Sequence, residues 1–239
     1  MLLPPHIQCM NAMHKYGFVK WSPQAITLKS GKKSHVYVYG REDITDNPDF
    51  LSLIGGIIYN EILKISEKDN RQPCLIGIPT AGTPLAQAAS MMSVGYLKDM
   101  RKFHTTLGHK EGAQGTYSSF SFRIMREKKK EGYGVHSTWV NGKPNPEKHV
   151  YCVIDNVATD GGSKIEIAKR LEEDGYPSRD KIHWIILVDR EQGAEARLKA
   201  EGFKNIYIIF TLRDIINHFS KQVFWTPEMA KLALSELSQ

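Results

Sequence analysis

One stretch constrains the fold more than any other: Val150-Tyr151-Cys152-Val153-Ile154-Asp155-Asn156-Val157-Ala158-Thr159-Asp160-Gly161-Gly162-Ser163-Lys164. Residues 151–154 are a short apolar run rich in strand formers, and Asp155 ends it. Thr159 to Ser163 supply hydroxyls and two glycines, and apolar residues at helical spacing follow from Ile165 to Leu171. The order is a buried strand, a polar turn and a helix start. Such a turn gathers backbone N–H groups on one concave surface, where a phosphate binds. The acid at the strand end could hold sugar hydroxyls or a metal beside that phosphate. Gly161-Gly162 alone would describe an ordinary strand-to-helix loop. The full order, an acid and then Thr-Asp-Gly-Gly-Ser, is more specific.

The rest of the chain alternates in the same way. Residues 6–16 read as a short helix, and 25–28 and 36–39 as strands split by a lysine-rich turn. Asn47-Pro48 opens an amphipathic helix carrying Phe50, Leu53, Ile54, Ile57, Ile58, Ile62 and Leu63, with Asn47 as its cap. A strand at 74–78, a loop at 79–84 and a small-residue helix at 85–92 follow. Strand 150–154, helix 162–173, strand 182–188, helix 191–201 and strand 205–209 complete the alternation. A helix at 211–219 and a last one capped by Thr226, with Pro227 at its first position, end it. Apolar strands alternating with helices predict a parallel sheet covered on both faces. Residues 95–119 and 127–148 fit poorly, being polar or charged, with a strand at 120–125 between them. Long irregular segments of this kind tend to be functional loops.

With its strand and turn, the acid-Thr-Asp-Gly-Gly-Ser order resembles the ribose-phosphate signature of the type I phosphoribosyltransferases, which use phosphoribosyl pyrophosphate (PRPP). That signature usually carries two consecutive acids, and here the second is Asn156. Leu28-Lys29-Ser30-Gly31, then Ser34, an aromatic strand and Arg41 resemble the N-terminal hood of the orotate phosphoribosyltransferases. Pro79-Thr80-Ala81-Gly82-Thr83-Pro84 takes the place of their pyrophosphate loop, and Arg126-Glu127-Lys128-Lys129-Lys130-Glu131-Gly132 that of their basic mobile loop. Val188-Asp189-Arg190-Glu191-Gln192-Gly193 is similar to a family segment whose arginine binds the orotate carboxylate. A guanidinium holding a carboxylate through two hydrogen bonds is a physical reason for Arg at that place. By composition alone these stretches would be a β-turn with exposed lysines, a βα loop, a solvated charge run and a charged helix start.

The resemblance implies an α/β fold: a parallel sheet flanked by helices, with a small N-terminal hood (1–45), a core (46–220) carrying a mobile lid loop (about 126–148), and a C-terminal helix (221–239). It implies transfer of ribose 5-phosphate from PRPP to orotate, giving orotidine 5′-monophosphate and pyrophosphate in pyrimidine biosynthesis. Asp155, Asn156, Arg126 and Lys130 are then the catalytic candidates. Lys29, Thr80, Ala81, Gly82, Thr159, Asp160, Gly161, Gly162 and Ser163 would bind PRPP. Lys29, Tyr37, Thr159 and Arg190 would bind orotate, with Tyr39 beside Tyr37 in the pocket wall and His136 a substitute for a loop histidine. Mg²⁺ would be carried largely by PRPP, with Asp155 as its protein contact. The resemblance also implies a homodimer whose loops cover the neighbouring subunit's site. Asn156 can hydrogen-bond a hydroxyl but can neither take a proton nor add charge, which predicts slow turnover.

Composition bounds the alternatives. The 239 residues suit one domain with a small appendage, and 41% hydrophobic with 24% charged residues is ordinary for a globular chain. No apolar run reaches the roughly 20 residues of a membrane span. The first ten residues lack the basic start of a signal peptide, and the length leaves no room for a fused decarboxylase. Three scattered cysteines form no zinc or redox motif and fit buried thiols in a reducing cytoplasm. A net charge of +6 suits an anionic ligand, whether a phosphorylated small molecule or nucleic acid. No nucleic-acid-binding motif is visible, so nucleic acid is not the expected partner. Two other readings remain at this level: a phosphoribosyltransferase for another base, and a PRPP-binding regulator with impaired catalysis.

Overall fold

The computed structural model of the protein describes residues 4–28, 31–39, 42–106, 119–129 and 138–237. Lys29, Arg41, Lys130 and His136 lie outside these residues, as does 107–118 of the polar stretch. The chain opens with helix α1 (Pro4–Lys15) and an antiparallel hairpin, β1 (Val19–Thr27) and β2 (Lys33–Val38). Helices α2 (Glu42–Thr45) and α3 (Pro48–Ser66) lead to β3 (Gln72–Gly77), α4 (Gly82–Thr106) and β4 (Ser121–Ile124). Then come β5 (His149–Ala158), α5 (Gly162–Glu173), β6 (His183–Asp189), α6 (Ala194–Ala200), β7 (Asn205–Thr211), α7 (Leu212–Lys221) and α8 (Pro227–Glu236).

Strands β3 to β7 form one parallel sheet in the order β4-β3-β5-β6-β7. Its central strands are apolar on both faces, as a sheet covered on both sides requires. Leu75, Cys152, Ile154, Ile185 and Leu187 share a buried cluster with Ile54, Ile58 and Phe219 of α3 and α7. Ile76, Tyr151, Val153, Trp184 and Ile186 point the other way, against Ile167, Ala168 and Leu171 of α5. The chain leaves β3 toward β4 on one side, and leaves β5 toward β6 and β7 on the other. Between β3 and β5 the connections therefore diverge, opening a crevice at the carboxyl ends of the strands where ligands of open α/β sheets bind.

Several elements depart from the expectation. Strand β5 does not stop at Asp155 but runs to Ala158, because β6 is long enough to pair Asp155 with Ile186 and Val157 with Val188. Helix α4 extends to Thr106, well into the stretch read as irregular. Helix α6 starts at Ala194 rather than 191, since Glu191 and Gly193 turn the chain at φ 56° and 92°. Asn47 precedes α3, but its side chain makes no capping hydrogen bond. The caps Thr211 and Thr226 do, accepting from Asp214 N at 3.1 Å and Met229 N at 3.3 Å.

The described end of the expected lid, 138–148, is packed against the sheet edge. Val140 is buried and bridges Met125, and its N–H donates to Asp174 at 2.9 Å. The Trp139 ring lies 4.1 Å from the Arg170 guanidinium, and its indole N–H donates to Glu173 at 2.5 Å. Two apolar side chains in an otherwise polar loop supply the burial that holds it down.

Adjacent glycines in α3 have opposite reasons to be there. A Cβ on Gly55 would sit 2.8 Å from Ala88 Cβ and 2.9 Å from its carbonyl carbon, so α3 and α4 touch at that point. A Cβ on Gly56 would meet only Met92 Cε at 3.7 Å. Gly56→Ala should therefore raise the free energy of unfolding in urea by about 0.5–1 kcal/mol, by removing glycine's entropy cost in a helix. Gly55→Ala should lower it by about 1–3 kcal/mol through overpacking. Equal effects at the two positions would contradict this packing.

Candidate active site

Three loops meet at the crevice: 78–81 after β3, 159–161 after β5 and 190–193 after β6. Backbone hydrogen bonds extend the sheet into them, from Ile78 N to Ile154 O at 2.9 Å and from Arg190 N to Ala158 O at 2.9 Å. The 78–81 loop, with a cis Pro79–Thr80 peptide, ends where Gly82 opens α4. A Cβ on Gly82 would lie 2.2 Å from Ile154 O, so only glycine brings this helix start against β5. Thr80, Ala81 and Gly82 thus stand beside Asp155, on the neighbouring strand.

The turn after β5 has the shape expected of an anion nest. Gly161 takes the left-handed conformation, φ 79°, as the residue before α5, and its carbonyl accepts from Lys164 N and Ile165 N. The first N–H groups of α5 have no carbonyl one turn back to bond and point into the loop. In the structure Gly162 N–H is given to Asp160 Oδ1 at 3.2 Å, and Arg197 holds the same carboxylate at 2.8 Å. The Gly162 amide first, and Arg197 with it, keeps Asp160 below the usual carboxylate range. Asp160, one of the phosphate-binding candidates, therefore brings a negative side chain to the nest.

Asp155 and Asn156 sit where β5 passes the nest, but they face different surroundings. Asp155 is buried, and its Oδ2 forms an ion pair with Lys164 Nζ, which also donates to Val157 O. Its Oδ1 accepts from Asn156 N at 2.9 Å. Lys164 is 1% exposed, the most deeply buried charge of the site, and the sequence reading passed over it. A signal was present: Lys164 falls on the apolar stripe of α5 with Ala168 and Leu171, where a lysine must find a buried partner. With one oxygen on a lysine and the other on an amide, Asp155 is a poor resident metal ligand. Among the described residues, no cluster of three or more His, Cys, Asp or Glu could hold a metal.

Arg190, at the end of β6, is 3% exposed. Its Nη2 donates to Ser34 Oγ at 3.1 Å and to Val36 O at 2.8 Å, joining the sheet to the β2 strand of the hairpin. Its Nε is buried and has no hydrogen-bond partner among the described residues. Burial pushes the guanidinium down to about 10, against the pull of Glu236 and Tyr37. Neighbouring Asp189 is also buried and is pushed up by desolvation, although it accepts from Glu191 N at 3.0 Å. Tyr37 and Tyr39 are both partly exposed on the hairpin and meet edge to face at 4.3 Å. Arg126 lies beyond β4, with Thr138 O and Trp139 O as partners.

The ion pair makes Lys164 a test of this arrangement. Lys164→Met leaves a carboxylate buried without its cation and should lower stability to urea by about 3–5 kcal/mol. Adding Asp155→Asn should return much of that loss. A single variant as stable as the parent would contradict the pairing.

No family model matches the chain. Among relatives, the orotate phosphoribosyltransferase of Pyrococcus abyssi is 30% identical over 190 residues, covering 79% of this chain and 84% of the relative. That of Methanocaldococcus jannaschii is 26% identical over 200 residues, covering 84% and 91%. Among solved structures, Leishmania donovani UMP synthase superposes with a TM-score of 0.71 at 20% identity, over 98% of this chain and 42% of its own. The orotate phosphoribosyltransferase of Aeropyrum pernix gives 0.57 at 22% identity, over 91% and 99%. At those identities the structures speak to the fold, and the Pyrococcus relative speaks to descent. The chain belongs to the orotate phosphoribosyltransferase family.

Proposed function

We propose that the protein transfers the 5-phosphoribosyl group of PRPP to orotate, giving orotidine 5′-monophosphate and pyrophosphate. The observation that carries this reading is Arg190: a buried guanidinium whose Nε has no partner among the described residues, one strand away from an amide nest suited to phosphate. A planar base bearing a carboxylate would supply the missing acceptor, and the sugar phosphate would reach the nest. A purine base offers no carboxylate to Arg190.

In this reading the amides of Gly161, Gly162 and Ser163, with the Thr159 and Ser163 hydroxyls, hold the 5′-phosphate. Asp160 must release Gly162 N–H as the phosphate arrives, and Arg197 keeps the freed carboxylate aside. Backbone amides of 80–82 hold the pyrophosphate. Orotate lies against Tyr37 with its carboxylate on Arg190. Pyrimidine N1 gives up its proton, which passes to the departing pyrophosphate, and forms the new bond to ribose C1 as the C1–O bond breaks with its electron pair leaving on pyrophosphate. Catalysis on this plan is positioning plus electrostatics. Lys29 and Lys130 keep the roles that the resemblance implies, at the base and at the leaving pyrophosphate, and Arg126 acts beside Lys130. Mg²⁺ arrives as the counter-ion of PRPP and belongs to the substrate. The homodimer, the loop shared between subunits and the cytoplasmic setting belong to the same proposal. Among the described residues no helix is long and apolar enough to cross a membrane.

The electrostatics under the sugar are unusual. Lys164 neutralises Asp155, and Asn156 adds no charge, so little negative charge faces the cation-like sugar of the transition state. The same pair of facts favours a second reading, a PRPP-binding protein that turns over poorly. Steady-state consumption of orotate with Mg²⁺ and PRPP separates the two. The wild type should be active, and Asn156→Asp should raise kcat by about tenfold, the gain from roughly 1.4 kcal/mol of transition-state stabilisation. Inactivity of both proteins, with PRPP still bound, would support the second reading instead.

A further inference from the structure

Arg190 does not hold its place alone. Its Nη2 rests on Ser34 Oγ, and that hydroxyl is fully committed. It accepts from Arg190 at 3.1 Å and from Val36 N at 3.1 Å, and its single proton can go to Glu236 Oε2 at 3.0 Å or to Val36 O at 3.1 Å. A hydroxyl has one proton and two acceptor sites, so the direction of that proton decides where its lone pairs point. A carboxylate is the stronger acceptor and draws it. Glu236 is itself clamped: both its oxygens accept from His35 N, at 2.9 and 3.2 Å, and Oε1 meets His35 Nδ1 at 2.5 Å. Its side chain is 10% exposed at the end of α8, far in sequence from every residue assigned to the site.

We propose that Glu236 is a positioning residue for the base subsite, acting on the orotate carboxylate through Ser34 and Arg190. With Glu236 in place, the Ser34 proton points away from Arg190, and both Ser34 Oγ and Val36 O stay open as acceptors for Nη2. Fixing Nη2 on the hairpin holds the rest of the guanidinium, Nε included, in one orientation. Without Glu236 the Ser34 proton turns to Val36 O and competes with Nη2 for that carbonyl, so the guanidinium loses its seat. Helix α8 thus reaches Arg190 through two hydrogen bonds, by way of Ser34 on the hairpin. This inference rests on orotate being the base.

The test is steady-state kinetics of Glu236→Ala, Glu236→Gln and Ser34→Ala, varying orotate and PRPP separately. Glu236→Ala should raise KM for orotate about tenfold, the weight of one charge-assisted hydrogen bond, while KM for PRPP and kcat at saturating orotate move less than about twofold. Glu236→Gln keeps an acceptor oxygen for Ser34 and should stay within about threefold of wild type. Ser34→Ala should reproduce the orotate effect, and decides the matter if Glu236→Ala does not fold. An unchanged orotate KM in Ser34→Ala or Glu236→Ala overturns the proposal. So does an equal rise in both KM values, which would mean that α8 only packs. A wild type that binds PRPP but never consumes orotate removes the functional reading itself, and this inference with it.

Discussion

Arg190 carries a full charge into a place where 3% of its surface meets solvent. Burying an ion is costly unless hydrogen bonds and opposite charge compensate it, and here the compensation is incomplete. One end of the guanidinium is tied to the hairpin through Ser34 and Val36, while Nε has no acceptor among the described residues. An incompletely satisfied buried cation is strained toward any carboxylate that fits beside it. The hairpin, β6 and α8 are held together around that group, so the small N-terminal layer is part of the site's construction.

The second buried cation, Lys164, plays a different part. It is fully used inside the protein, on Asp155 and Val157 O, and so fixes the strand end beneath the phosphate nest. In the proposed complex its cost to chemistry is that Asp155 would offer the sugar a neutralised carboxylate, beside an Asn156 that has no charge to add. Two buried bases and two buried acids, Arg190, Lys164, Asp155 and Asp189, share the carboxyl ends of β5 and β6 and nearly balance.

Much of this was legible in the sequence where local physics decides. The alternation of apolar strands with helices located β3, β5, β6 and β7, and Thr226-Pro227 marked the start of α8 because a hydroxyl cap and a first-turn proline are local devices. The Thr-Asp-Gly-Gly-Ser turn was visible because a left-handed residue and a free helix start must be written in glycine and small side chains. What stayed hidden depends on partners distant in sequence. Strand β5 runs past Asp155 because β6 is there to pair with it, and 138–148 is held down by Trp139 and Val140 meeting α5 and β4. Glu236 could not be connected to Arg190 by any spacing rule. Lys164 was readable in principle, as a charge on an apolar stripe, but its partner Asp155 had already been assigned to the ligand.

The proposed chemistry depends on one placement: phosphate on the amides that open α5, and a carboxylate on Arg190. A crystal structure of the protein with orotidine 5′-monophosphate tests it directly. The phosphate should accept from Gly161, Gly162 and Ser163 N–H, with Asp160 turned away, and the base carboxylate should lie within hydrogen-bonding distance of Arg190 Nε. A nucleotide bound with its phosphate elsewhere, or with Arg190 Nε still lacking an acceptor, would contradict it.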